Sequence, residues 1–236
     1  VTGVQTCALP ILYIHALGGA WIHHPFWRST FVLDNAEDLQ QQVLLLRDAA
    51  QQPLCVVCAI PYLRDRDVRQ AQAGESLDDK NTLLLQGITQ HYRTMHSLAA
   101  AQRQQLQAAI PLIATGHLFT AGGHTLADDG VRDLYVGNLA HVDAGIFDGF
   151  DYVALGHLHV PQVVAQRNHI RYSGSPIAIG FGEAKQQKQV LVVDFAGATP
   201  TVHSVPVPAL QNLQRLQGSW QQIQNALIAL KAAGNE

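Results

Sequence analysis

Two apolar runs in this chain end in the same way, and that shared ending constrains the fold more than any other feature. IPLIATGH (110–117) and DYVALGH (151–157) each read as a buried strand that opens into a loop at Gly-His. Two strands that deliver a histidine at equivalent ends point to one sheet of an α/β domain, because open sheets place their sites at the carboxyl ends of neighbouring strands.

The surrounding sequence supplies the rest of such a domain. VLLLRDA and PLCVVCAIPYL flank a polar turn, which predicts a hairpin over residues 43–60. The stretch LRDRDVRQAQAGESLDDK (63–80) should run over the surface, with Arg64, Arg66 and Arg69 set among Asp65 and Asp67 as a solvated loop of mixed charge. Over residues 79–109, Leu84, Ile88, Tyr92 and Met95 recur on one face, which predicts one long helix or two in series. HIRYSGSP (169–176), QVLVVDF (189–195) and TPTVHSVPV (199–207) read as later strands. Ser219 and Gln222 have capping-box spacing ahead of an amphipathic helix through Trp220, Ile223, Leu227 and Leu230, with Gly234 as its stop. No internal repeat and no transmembrane span is visible.

A chain of 236 residues that is 47% hydrophobic and 14% charged can bury a substantial core, so disorder is a poor explanation. Its formal charge of -3 argues against a protein that grips nucleic acid by a general basic surface, so any DNA contact is local or carried by metal ions. Cys7, Cys55 and Cys58 form an odd, sparse set that points to a cytoplasmic protein. Strand alternation sends Cys55 and Cys58 to opposite faces as core residues. The apolar stretch 8–20 lacks a preceding Lys or Arg and is interrupted by His15, Gly18 and Gly19, unlike a signal peptide. VTGVQTCALPI (1–11) looks instead like the translation of a sequencing-adapter oligonucleotide, so the authentic sequence is expected to begin near Leu12.

Three of the twelve histidines stand out by position: His117 in TGHL, and His157 and His159 in GHLH. In extended backbone, residues two apart share a side, so His157 and His159 can converge. Glycine before each leading histidine permits a bend that turns the imidazole toward the strand end. Neutral imidazole is the commonest metal ligand. GHLH alone is a weak signal, since packed or surface histidines are the default, and the second strand-Gly-His is what strengthens it. His23, His24, His91, His96, His124, His141, His169 and His203 lack that context and are expected at the surface. Arg171 could approach a phosphate. Ser173, Gly174 and Ser175 could offer backbone N–H groups to an anion, or simply form a tight turn stopped by Pro176.

The ordered set IPYLRDRD (60–67), TGHL (115–118), VRDLYVGN (131–138), DYVALGHLH (151–159) and RYSGSP (171–176) is similar to the second half of the phosphoesterase domain of the SbcD nuclease family, within the calcineurin-like metallophosphoesterases. The resemblance covers essentially everything after the adapter-like start. It implies an α/β two-sheet sandwich flanked by helices with its N-terminal half missing. Residues 12–205 would form the C-terminal part of the metallophosphoesterase domain. Residues 206–236 would begin a capping domain, whose exposed apolar face wants a partner. The resemblance also implies two Mn²⁺ ions, with His117 and His157 on one and His159 on the other, a donor type that suits manganese when carboxylates join it. The implied activity is exonuclease and endonuclease cleavage of double-stranded DNA ends and hairpins in repair, recombination and replication. It would proceed in complex with an SbcC-type ATPase, as a homodimer within that complex, in the cytoplasm.

The family's amino-terminal motifs D-x-H, G-D-x-x-D and G-N-H-D, which bring the remaining ligands and the histidine that protonates the leaving group, do not occur here. Gly137-Asn138-Leu139-Ala140-His141 echoes the last only in part. Two divalent ions held close together repel strongly and need carboxylates to offset that repulsion, whereas three imidazoles carry no negative charge. No catalytic residue is therefore assigned, and the chain by itself is expected to be inactive. Two other readings stay open: a calcineurin-like enzyme acting on phosphoproteins or small phosphodiesters, and a non-catalytic binding module in which the three histidines pack.

Overall fold

The computed structural model describes residues 2–5, 13–15, 21–22, 36–120, 142–209 and 213–233. Along the chain, β1 (Thr2–Gln5), β2 (Tyr13–His15) and β3 (Trp21–Ile22) precede β4 (Val43–Arg47) and β5 (Pro53–Cys58). Helices α1 (Asp65–Val68) and α2 (Leu77–Leu106) lead to β6 (Leu112–His117). Then come β7 (Tyr152–Gly156), β8 (Gln162–Val164), β9 (Arg167–Tyr172), β10 (Gln189–Ala196), β11 (Thr199–Pro206) and α3 (Trp220–Ala232). Residues 6–12, 121–130, the VRDLYVGN run, Cys7, His23, His24, His124, His141 and Gly234 lie outside the described residues.

One sheet has the order β4-β5-β6-β7-β9-β8; β5, β6, β7 and β9 run parallel, and the edge strands β4 and β8 are antiparallel to their neighbours. The other, β11-β10-β1-β2-β3, is antiparallel throughout. A mostly parallel sheet with a second, smaller antiparallel one is compatible with the expected sandwich. β1 lies within the adapter-like stretch and pairs with β10 from Thr2↔Asp194 to Gln5↔Leu191.

Strand alternation sorts the core into two layers. Val56, Cys58, Leu112, Ala114, Val153 and Leu155 lie with Ile88, Tyr92, Met95 and Ala99, the buried stripe of α2. Cys55, Val57, Ile113, Tyr152 and Ala154 lie with Val193 and Phe195 of the second sheet. Cys55 and Cys58 therefore occupy opposite faces, and burial pushes both thiols up to about 12. Each fully buried large aliphatic side chain, such as Met95, Leu112 or Leu155, contributes ~1.5–3 kcal/mol.

α2 is one continuous helix. It starts at Leu77 because Ser76 caps it: Ser76 Oγ accepts from Asp79 N–H, and the Asp79 carboxylate accepts from Ser76 N–H, both at 3.1 Å. Gln107, with φ 50, turns the chain left-handed and ends it. Gly87 is required in mid-helix, since a Cβ there would stand 2.4 Å from the Val68 carbonyl oxygen of α1. The 63–80 stretch is more than a solvated loop. Arg69 donates to Asp65 at 2.5 Å and to Glu75 at 2.8 Å, and the Arg69 and Glu75 side chains are only 7% and 4% exposed. That pairing fastens α1 to the segment that enters α2.

Ser219 caps α3: its Oγ accepts from the Gln222 amide at 3.4 Å, and its own N–H donates to Gln222 Oε1 at 2.7 Å. No residue of α3 is buried, and Trp220, Leu227 and Ile228 are exposed. Among the described residues no helix is long and apolar enough to cross a membrane.

Candidate metal centre

Parallel β6 and β7 are in a register that sets His117 beside Gly156, so His157, the next residue, falls at the same edge of the sheet. The two imidazoles meet edge to face, with centroids 5.3 Å apart and planes at 73°. Tyr62 lies edge-on to His117 at 5.9 Å, and Phe119 lies 6.2 Å from His157.

The glycines ahead of these histidines do not act as the sequence suggests. Gly116 sits within β6, where a Cβ would stand 2.2 Å from Tyr92 Oη and 2.9 Å from Leu118 Cδ2, so its bareness serves packing against α2. The bend falls on His157 itself, at φ 105. A side chain in that region costs about 1–3 kcal/mol, and such strain recurs at functional sites. Because β7 stops at Gly156, extended backbone does not align His157 with His159. They flank Leu158 instead, which is fully buried.

Burial, then the neighbouring His157 and His159, push His117 down to about 4, so its ring is neutral at pH 7. Its Nδ1 is buried without a hydrogen-bond partner. A neutral imidazole with an orphaned nitrogen beside a second imidazole fits a divalent cation, as a partial donor set. Among the described residues no three His, Cys, Asp or Glu side chains are grouped to hold a metal.

His159 is held differently. Its Nδ1 lies 2.9 Å from Glu183 Oε1. The other oxygen, Glu183 Oε2, accepts from Ser175 Oγ at 2.7 Å and pairs with Lys188 Nζ. Glu183 is fully buried, which by itself raises its pKa; hydrogen bonds from Lys188, Ser175 and His159 outweigh that and hold it below the usual carboxylate value.

Ser173 and Ser175, read as either an anion-binding turn or a plain tight one, both have fully buried side chains. Ser173 Oγ donates to Gly174 O at 3.2 Å, and the Ser175 amide donates to His159 O at 3.1 Å. Gly174, at φ 76, is obligatory there because a Cβ would come within 2.8 Å of His159 O. Arg171 donates from Nε to Asn168 O at 2.7 Å and lines a separate cleft with Phe150, Asp151, His169 and Thr199. His91, expected at the surface, is buried on α2, whereas His203 is exposed. Glu183 and Lys188 escape a sequence reading, since no local pattern distinguishes FGEAKQQK (181–188) from solvated charge.

No family model matches the chain. It is 39% identical over 178 residues to the SbcD subunit of the nuclease SbcCD from Escherichia coli (strain K12), covering 75% of this chain and 43% of that protein. The SbcD subunit of Rhodobacter capsulatus is 32% identical over 180 residues, 76% of this chain and 42% of that protein. For Staphylococcus saprophyticus the figures are 31% over 134 residues, 57% and 35%. The chain thus spans less than half the length of these curated relatives.

Proposed function

Because the chain belongs to the family of SbcD subunits of SbcCD nucleases, we propose that it is part of a metal-dependent nuclease that hydrolyses DNA phosphodiesters at double-strand ends and hairpins. It would act with an SbcC-type ATPase, as a homodimer within that complex and in the cytoplasm. The observation that carries this reading is the His117–His157 pair, in which a neutral ring with an orphaned buried nitrogen abuts a second imidazole where two parallel strands end.

His117 and His157 would hold one Mn²⁺ ion and His159 the other. Bound there, the ions would supply an activated water and stabilise the departing oxygen. The chain's formal charge of -3 agrees with phosphate binding through ions rather than through a basic surface. Neutral imidazoles bring no charge to offset two cations, so carboxylates must complete the set, and the chain by itself is expected to bind Mn²⁺ without cleaving DNA.

The test is calorimetric titration of the chain with Mn²⁺, alongside His117→Ala, His157→Ala and His159→Ala and an incubation with linear duplex DNA. Each substitution is expected to lower Mn²⁺ affinity by roughly tenfold or more, the order seen even for groups that only orient a ligand. Unchanged affinity in all three would refute the metal reading, and cleavage at an enzymatic rate would refute the incomplete site.

A further inference from the structure

We infer that Glu183, held by Ser175 and Lys188, is a positioning residue that fixes the ring of His159 for metal ligation through Nε2. The inference rests on the metal reading above and adds residues outside its ligand set.

One buried cluster grips His159 at two points. At the ring, Glu183 Oε1 takes Nδ1 at 2.9 Å, and an ionised carboxylate only accepts, so Nδ1 carries the proton and donates. Ligation is thereby assigned to Nε2. At the backbone, the His159 carbonyl accepts from the Ser175 amide at 3.1 Å and from Lys188 Nζ at 3.4 Å. The cluster is itself closed: Ser175 Oγ donates to Glu183 Oε2 at 2.7 Å, Lys188 Nζ reaches Ser175 Oγ at 2.8 Å and Gln186 Oε1 at 2.9 Å, and the Gly180 amide donates to Glu183 Oε1 at 3.3 Å.

Burial argues that this is more than a surface ion pair. The Glu183 side chain is fully enclosed and that of Lys188 is 7% exposed. A buried charge pair is not a dependable source of stability, since an apolar pair of similar size is often as good. What an apolar pair cannot do is hold an imidazole in one tautomer and one orientation. A carboxylate on the far nitrogen of a ligating histidine does both and makes the ligand more basic.

The experiment uses the chain with Mn²⁺ alone as probe, comparing the parent, Glu183→Gln and His159→Ala by calorimetry, with a thermal melt of each metal-free protein. Glu183→Gln is expected to lose roughly 10- to 100-fold in Mn²⁺ affinity, the cost typical of removing such a partner, while His159→Ala loses at least as much. Parental affinity in Glu183→Gln beside a loss in His159→Ala overturns the positioning role and leaves the metal site standing. No loss in either removes the metal reading and this inference with it. Should Glu183→Gln fail to fold because Lys188 is left unpaired, Glu183→Gln/Lys188→Met removes both charges and is titrated instead. A reading that needs no variant is the ¹⁵N tautomer of His159 in the metal-free parent. Protonation at Nδ1 is expected, and a ring protonated at Nε2 alone overturns the inference.

Discussion

The hydroxyl of Tyr172 reaches from β9 to the segment that follows His117, donating to the Leu118 carbonyl at 2.6 Å and accepting from the Thr120 amide at 3.1 Å. A fully buried side chain on one strand thus anchors the loop that leaves its next-but-one neighbour, β6. Tyr172→Phe keeps the ring but leaves a buried amide and a carbonyl without that partner, at a cost of about 1–3 kcal/mol. Urea unfolding should show that loss. Mn²⁺ titration should show weaker binding as the chain beyond His117 loosens. A variant as stable as the parent would mean that water replaces the hydroxyl.

Gly116 and Tyr92 form a tighter pair. A methyl at position 116 would stand 2.2 Å from Tyr92 Oη, which also donates to the Thr115 carbonyl at 3.2 Å. Gly116→Ala should destabilise by about 1–3 kcal/mol through overpacking. Tyr92→Phe alone should lose about 0.5–1.5 kcal/mol with its hydrogen bond. Because Phe removes the atom that the new methyl meets first, the double variant should be more stable than the sum of the two losses predicts. A double-mutant cycle in denaturant measures this, and strict additivity would place the clash elsewhere.

The regular elements are legible in the sequence because neighbours along the chain write them. Period-two burial puts Cys55 and Cys58 on opposite faces, and the 3.6-residue stripe through Ile88, Tyr92 and Met95 marks α2. His117 and His157 are legible because each closes an apolar run, and parallel pairing brings run ends together. Glu183 is not, because its burial arises only when the chain between β9 and β10 folds over His159, a contact with no local signature. The bend at His157 is hidden for a different reason: a glycine stands one position earlier and invites the wrong assignment. His91 lies on the helical stripe three residues after Ile88, and that periodicity was the signal to place it inside.

That buried histidine carries a pH dependence. Burial pushes His91 down to about 4, a shift that nearby Asp67 opposes. As pH falls from 6.5 towards 4, the unfolded chain takes up a proton that the folded chain refuses, so stability declines across that window and is unaffected above it. The largest loss from this residue is about 3 kcal/mol, and His117 adds to it in the same direction. His91 Nε2 is buried without a hydrogen-bond partner, so His91→Leu should leave stability at pH 7.5 little changed. Urea midpoints at pH 7.5 and 5 should then differ less for the variant than for the parent. Equal differences would show that His91 is protonated in the folded protein.

The backbone of His157 predicts an inverted preference between two small residues. At an ordinary position alanine is the more stabilising, because glycine gives the unfolded chain more freedom to lose, an effect of about 0.4–1 kcal/mol. At φ 105 a Cβ is strained and glycine is not, so here the order should reverse. In metal-free protein, His157→Gly should therefore melt above His157→Ala, by about 1 kcal/mol in unfolding free energy. Both variants remove one imidazole from the pair, so both should lose Mn²⁺ affinity to the same extent. Glycine ahead in stability with equal loss of binding would mean that the chain carries strain at this position in order to present a ring. Alanine ahead would mean that the turn relaxes, and that His157 is held by its side chain rather than by its backbone.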